Sequence, residues 1–227
     1  MMPIGRTSRP RSRVDRVASG IQRPTAHTVT HLLFAAPVRA VMTALFVLVM
    51  TLTACTKPKA NALADIGGLM PQLEFTLTSD AGTQSTAKDF RGKVVLLYFG
   101  YTHCPDVCPT TLARLARAIH SLGTDATKVR VLFVSVDPAR DTVAVLKRYV
   151  SAFGPEFVGL RGSDEALERL SKRYRVAYSR EKPDANGDYE VTHSSAVFIF
   201  DDKGEARLLA TSSDPATEIT KGLRELL

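Results

Sequence analysis

The chain has 227 residues, 44% of them apolar, with 30 basic and 23 acidic side chains, three cysteines and no tryptophan. That length admits one or two domains, and a formal charge of +7 raises the question of a nucleic-acid partner. Residues 1–54 hold seven arginines against the single acid Asp15, so the remainder carries 23 basic and 22 acidic side chains, a net charge of +1. With no basic patch interleaved with aromatics, no nucleic-acid binding is expected.

The basic stretch runs into an apolar segment, Ala40 to Thr53. It falls short of the ~20 residues of a membrane span and has the length of a signal-peptide core behind a basic start. It closes in Leu52-Thr53-Ala54-Cys55, small residues directly before a cysteine. That sequence resembles the lipobox of bacterial lipoproteins. The resemblance implies export, removal of residues 1–54 and a lipid on Cys55 as the new N-terminus, holding the chain to a membrane on its extracytoplasmic side. Residues 55–70 are polar and small and read as a tether. Residues 71–227 are enough for one core.

Leu73, Phe75 and Leu77 alternate with polar residues as in a half-buried strand, and Asp80-Ala81-Gly82 reads as a hairpin turn. Lys93 to Phe99 is a strand apolar on both faces. Leu112, Leu115, Ala116 and Ile119 recur at helical spacing and predict a helix over 109–122. A second buried strand, Val129 to Val136, follows. Asp141 reads as the N-cap of a helix carrying Val143, Val145, Leu146 and Tyr149. Asp164 to Tyr174 reads as a further helix. Two short strands, Val176 to Tyr178 and Tyr189 to Val191, flank a polar loop with an Asn186-Gly187 turn. Ala196 to Phe200 turns through Asp201-Asp202-Lys203-Gly204 into Arg207 to Thr211, and Asp214-Pro215 opens a final helix to Leu227. The order predicts an α/β, thioredoxin-like fold: an N-terminal hairpin and a central mixed sheet flanked by helices.

The stretch Gly100-Tyr101-Thr102-His103-Cys104-Pro105-Asp106-Val107-Cys108-Pro109 sits where the first buried strand hands over to a helix. Open α/β folds place their sites at this end of the sheet. Thiols four apart share one face of a helical turn and can chelate a soft metal or cycle between dithiol and disulfide. Pro109 suits a first helical turn. That places Cys108 near the N-cap, where helix N–H groups stabilise a thiolate.

This motif, with Val134-Ser135-Val136-Asp137-Pro138-Ala139-Arg140-Asp141-Thr142 and His193 ahead of Val197-Phe198-Ile199-Phe200-Asp201, resembles the Sco/SenC family. Those proteins are thioredoxin-fold copper binders, tethered to membranes, that help assemble the binuclear copper centre of cytochrome c oxidase. The resemblance implies copper ligands at Cys104, Cys108 and His193. Soft thiolates suit Cu(I), and an added imidazole suits Cu(II) as well. His103 adjoins Cys104 but is expected beside the site or at the surface rather than as a ligand, and His120 at the surface. Asp106 is not expected to bind metal. Asp137 is expected to hold the loop or orient a ligand, and Arg140 to pair with Asp137 or Asp141.

Two functions follow. In the first the chain is a copper metallochaperone serving a copper-accepting oxidase subunit. In the second it is a thiol–disulfide oxidoreductase, with Cys104 and Cys108 as the redox pair. A Cys104–Cys108 disulfide would have to be reduced before copper loading, which implies a thioredoxin-like reductant. His193 discriminates, because only the copper reading needs it.

Overall fold

The computed structural model describes residues 63–185 and 188–227. The basic leader, its apolar core, Cys55 and the Asn186-Gly187 turn lie outside the described residues.

The folded unit starts earlier than the sequence implied. Ala64–Asp65 (β1) pairs antiparallel with Ala206–Ala210 (β10), flanked by the buried Leu63 and Ile66. The latter part of the expected tether is therefore an edge of the sheet. The hairpin Thr76–Ser79 (β2) and Gln84–Thr86 (β3) follows, turned by Gly82 at φ +78°. Leu73 and Phe75 are buried ahead of it rather than in the strand itself.

Val94–Gly100 (β4) and Val129–Ser135 (β5) form the centre, joined by the helix Val107–His120 (α1). They pair in parallel from Val94 opposite Val129 to Gly100 opposite Ser135. Every residue of β4 is buried, as a strand covered on both faces requires. Val143–Ser151 (α2) leads to Phe157–Arg161 (β6), which pairs parallel to β5. The sequence reading had no strand there. Gly159 has no side chain to display the alternation, and its position lets Leu146 of α2 close down, 3.1 Å from where a Cβ would stand.

Asp164–Arg173 (α3) precedes a separate two-stranded ribbon, Tyr178–Arg180 (β7) with Val191–His193 (β8). Val197–Phe200 (β9) is antiparallel to β4, and Ala216–Leu226 (α4) ends the chain. The main sheet runs β1-β10-β9-β4-β5-β6-β2-β3. It is the expected thioredoxin-like arrangement with added edges.

Residues paired across strands share a face. Tyr98, Phe133 and Val197 point to the side carrying α1, and Leu97, Leu132 and Phe198 point to the other. On that other side Tyr174, just past α3, packs 5.8 and 5.6 Å from Phe198 and Phe200. Leu112, Leu115 and Ile119 of α1 are fully buried, each contributing about 1.5–3 kcal/mol. Helix α4 binds α1 through the Thr220 hydroxyl, which donates to the Ala118 carbonyl at 3.1 Å. Strand β4, from whose end the cysteine loop leaves, is thus covered on both faces.

Candidate metal centre

The loop after β4 is short because Gly100 and Val136 stay paired, the Val136 N–H donating to the Gly100 carbonyl at 2.8 Å. Cys104 follows, half-buried, and Cys108 is the second residue of α1, with no exposed surface. Gly100 is glycine for a reason of space. A Cβ there would stand 2.8 Å from Cys108 Sγ and 2.6 Å from the Phe133 ring.

His193 arrives from β8, opposite Tyr178 in the ribbon. Its ligand atom and the two sulfurs all lie within 4.8 Å of one another. Its ring stands edge-on to Tyr98 at 6.0 Å and to Tyr101 at 5.8 Å. Nδ1 lies 3.0 Å from the Ser194 carbonyl, which can only accept, so Nδ1 carries the proton. Nε2 then presents a lone pair to Cys108 Sγ at 3.3 Å, and the Cys108 S–H donates to it. Burial holds the His193 pKa below its ordinary value, so the ring stays neutral and able to ligate.

The helix terminus acts on a different thiol from the one expected. The Cys108 N–H donates to Cys104 Sγ at 3.4 Å, so the helix end serves Cys104. The Cys108 thiol is instead pushed up to about 12, because burial outweighs the hydrogen bonds it accepts. Without a metal, Cys108 is a thiol at neutral pH.

Asp141 is not the N-cap of α2. Thr142 is, its hydroxyl accepting from the Val145 N–H at 3.3 Å. Asp141 is fully buried and turned toward the cysteine loop. It accepts from the Thr102 hydroxyl at 2.6 Å, the Thr102 N–H at 3.0 Å and the Ser135 hydroxyl at 2.6 Å. A local signal, acid before helix, was overruled by a tertiary one.

Asp137 is also fully buried and touches neither the cysteines nor His193 in any hydrogen bond among the described residues. It accepts from Arg140 Nε and from the Tyr189 hydroxyl, both at 2.5 Å. The Arg140 guanidinium lies 3.6 Å from the Tyr189 ring centroid. Arg140 therefore pairs with Asp137. Arg180 Nε of the ribbon donates to the Val136 carbonyl at 2.9 Å. Through Tyr189 and Arg180 the segment that carries His193 is fastened to the end of β5.

His103 is exposed and stands 3.2 Å from Thr102 Oγ1, apart from the cluster. Asp106 accepts from the Thr110 hydroxyl at 3.2 Å and ligates nothing. Sequence reasoning missed Tyr98, Gly100, Tyr189 and Arg180. Only Tyr98 left a signal, as the one hydroxyl in the apolar run Val94 to Phe99.

Two sulfurs and one imidazole nitrogen make a soft donor set with a borderline third member. It fits copper in either oxidation state and, among the described residues, adds no carboxylate ligand for a hard cation.

The sequence profile of the SCO1/SenC family matches residues 67–227. Among characterised proteins, the chain is 41% identical over 155 residues to the mitochondrial SCO2 homologue of Bos taurus. That match covers 67% of this chain and 58% of the relative. It is 38% identical over 133 residues to the mitochondrial SCO1 homologue of Homo sapiens, across 58% of this chain and 44% of that one. The chain thus aligns with about half the length of these relatives. The structure resembles copper-bound ScoI of Arabidopsis thaliana, with TM-score 0.63 and 35% identity over 70% of this chain and 96% of that one. It resembles yeast Sco1 with copper bound at TM-score 0.63 and 32% identity, over 68% and 88% of the two chains. A SCO1/SenC family lipoprotein of Bacillus anthracis matches at TM-score 0.58 and 26% identity, over 76% and 99%.

Proposed function

The chain belongs to the SCO1/SenC family, and from that premise we propose that it is a membrane-tethered copper metallochaperone that delivers copper to the binuclear centre of cytochrome c oxidase. The observation that carries the reading is the convergence of Cys104, Cys108 and His193 within 4.8 Å from two separate parts of the fold. Relatives similar over most of the folded unit have been seen with copper bound.

The residues divide the work. Cys104, half-exposed, is where an incoming ion first meets sulfur. Cys108 gives up its proton on binding, because the thiolate is the ligand. Neutral His193 supplies Nε2, held in that tautomer by Ser194. The recipient is an oxidase subunit with its own thiolates. The lipid on Cys55 keeps the domain outside the cytoplasm at a membrane surface, and the lipoprotein named among the structural relatives supports that anchor.

A second reading, a thiol–disulfide oxidoreductase, draws on one observation. A half-exposed thiol over a buried one is a usable pairing of attacking and resolving cysteine. A disulfide between them would leave no thiolate for copper, so loading then requires a thioredoxin-like reductant.

The test is titration of purified full-length protein with copper, read by visible absorption and by competition with a Cu(I) chelator. One copper per chain, with a thiolate-to-Cu(II) band lost in His193→Ala, supports the chaperone. Reduction of a model disulfide that survives His193→Ala, with no copper bound, supports the oxidoreductase.

A further inference from the structure

We propose that Tyr98 is a positioning residue of the copper centre, its hydroxyl donating to Cys108 Sγ so as to favour Cu(I) over Cu(II). This rests on the copper reading above and adds what sets the ion's preferred oxidation state.

Tyr98 is fully buried in the middle of the sheet, where a hydroxyl without a partner would cost a few kcal/mol. The Tyr98 hydroxyl lies 3.6 Å from Cys108 Sγ, a usual separation for a hydrogen bond to sulfur, and Thr111 of α1 bonds the same phenol. The register of β4 enforces this. Tyr98 and Gly100 are two apart and share a face, so glycine leaves the space the sulfur fills and tyrosine reaches its flank.

The chemistry of the sulfur decides what the contact does. Metal-free, Cys108 donates its proton to His193 Nε2 and accepts weakly from Tyr98. On copper binding that proton leaves, and both Sγ and Nε2 turn to the ion. Tyr98 is then the side-chain donor left on a negatively charged sulfur, and hydrogen bonds to charged acceptors are about twice as strong as neutral ones. The bond withdraws electron density from the thiolate. Cu(II) depends on that density more than Cu(I) does, and hydrogen bonding at a cysteine sulfur is a known lever on copper potentials.

Tyr98→Phe keeps the ring and removes only the donor. In full-length protein the variant should keep its fold and its one copper. Its thiolate-to-Cu(II) band should move to lower energy. The ratio of Cu(I) to Cu(II) affinity should fall by about tenfold, equivalent to about 59 mV for a one-electron couple. Installing 3-fluorotyrosine at position 98, a stronger donor in the same space, should move both readings the opposite way. Tyr149→Phe is the control. Its hydroxyl is buried and has no hydrogen-bond partner among the described residues, so its loss should leave the band in place. An unmoved band in Tyr98→Phe, or equal weakening of both oxidation states, overturns the proposal and leaves Tyr98 as packing. Should the unaltered protein bind no copper, the functional reading fails instead, which the first titration shows before any variant is made.

Discussion

The two halves of the copper centre are built differently. Cys104 and Cys108 sit on the strand-to-helix corner of the central sheet, beneath a fully buried strand and a helix locked to its neighbour. His193 rides on a ribbon of two three-residue strands that belongs to a separate sheet. The thiol half gains its geometry from the hydrophobic core. The imidazole half gains it from a few polar ties, Tyr189 to Asp137 and Arg180 to the Val136 carbonyl. The site therefore has one side fixed by the core and another held by interactions of about 1 kcal/mol each.

The comparison can be broken most directly at the thiols. Cys104→Ala or Cys108→Ala should reduce Cu(I) affinity by more than about 100-fold, beyond the 10–100-fold that loss of an outer partner costs. Chelator competition measures it, and a smaller loss would mean that the core-built half does not dominate. His193→Ala should cost Cu(I) about tenfold or less while removing the thiolate-to-Cu(II) band, since two thiolates still hold Cu(I).

The protonation of Cys108 sharpens the contrast. Its thiol is held near 12, above the ordinary value, so between pH 6.5 and 8 it must release a proton to bind copper. Cu(I) affinity should therefore rise by about tenfold per pH unit on account of this group alone. His193, already neutral there, adds no opposing term. The same shift fixes the sign for stability. The folded metal-free protein keeps a proton that the unfolded chain sheds near pH 8.5–9, so stability is full below that range and falls as pH rises toward the folded value. Thermal unfolding at pH 8 and pH 10 reads it.

Gly100→Ala tests the packing of the thiol half. The added methyl meets Cys108 Sγ and Phe133, and overpacking of this kind costs about 1–3 kcal/mol. For a domain of this size each kcal/mol is about 2–4 °C in Tm, so calorimetry should find a drop of several degrees. Tyr189→Phe should have the smallest effect. It removes the tie to Asp137, and it should raise amide exchange in the ribbon and weaken Cu(II) by about fivefold, with Cu(I) unchanged.

The same division explains what could be read in advance. The strands Val94–Gly100 and Val129–Ser135, the helix α1 and the thiol motif carry short-range patterns, and each fell within a few residues of its place. The ties that matter at the site are long-range and left no local trace. Tyr189 finds Asp137 across 52 residues, and Thr102 finds Asp141 across 39. Asp141 was misread for that reason, since an acid ahead of a helix resembles a cap until a buried partner claims it. The helix-terminus argument for a lowered thiol failed on burial, which spacing does not reveal: the N–H points at Cys104, while Cys108 is sealed beneath Tyr98.

The pairing of Ala64–Asp65 with β10 bears on how far the domain can travel. It leaves seven residues between Cys55 and the buried Leu63, where a tether ending at residue 70 would count fifteen. Seven residues reach about 25 Å at full stretch. A domain of this size has a radius of gyration of roughly 15 Å. With the acylation of Cys55 proposed above, the domain would stay within about one domain diameter of the bilayer.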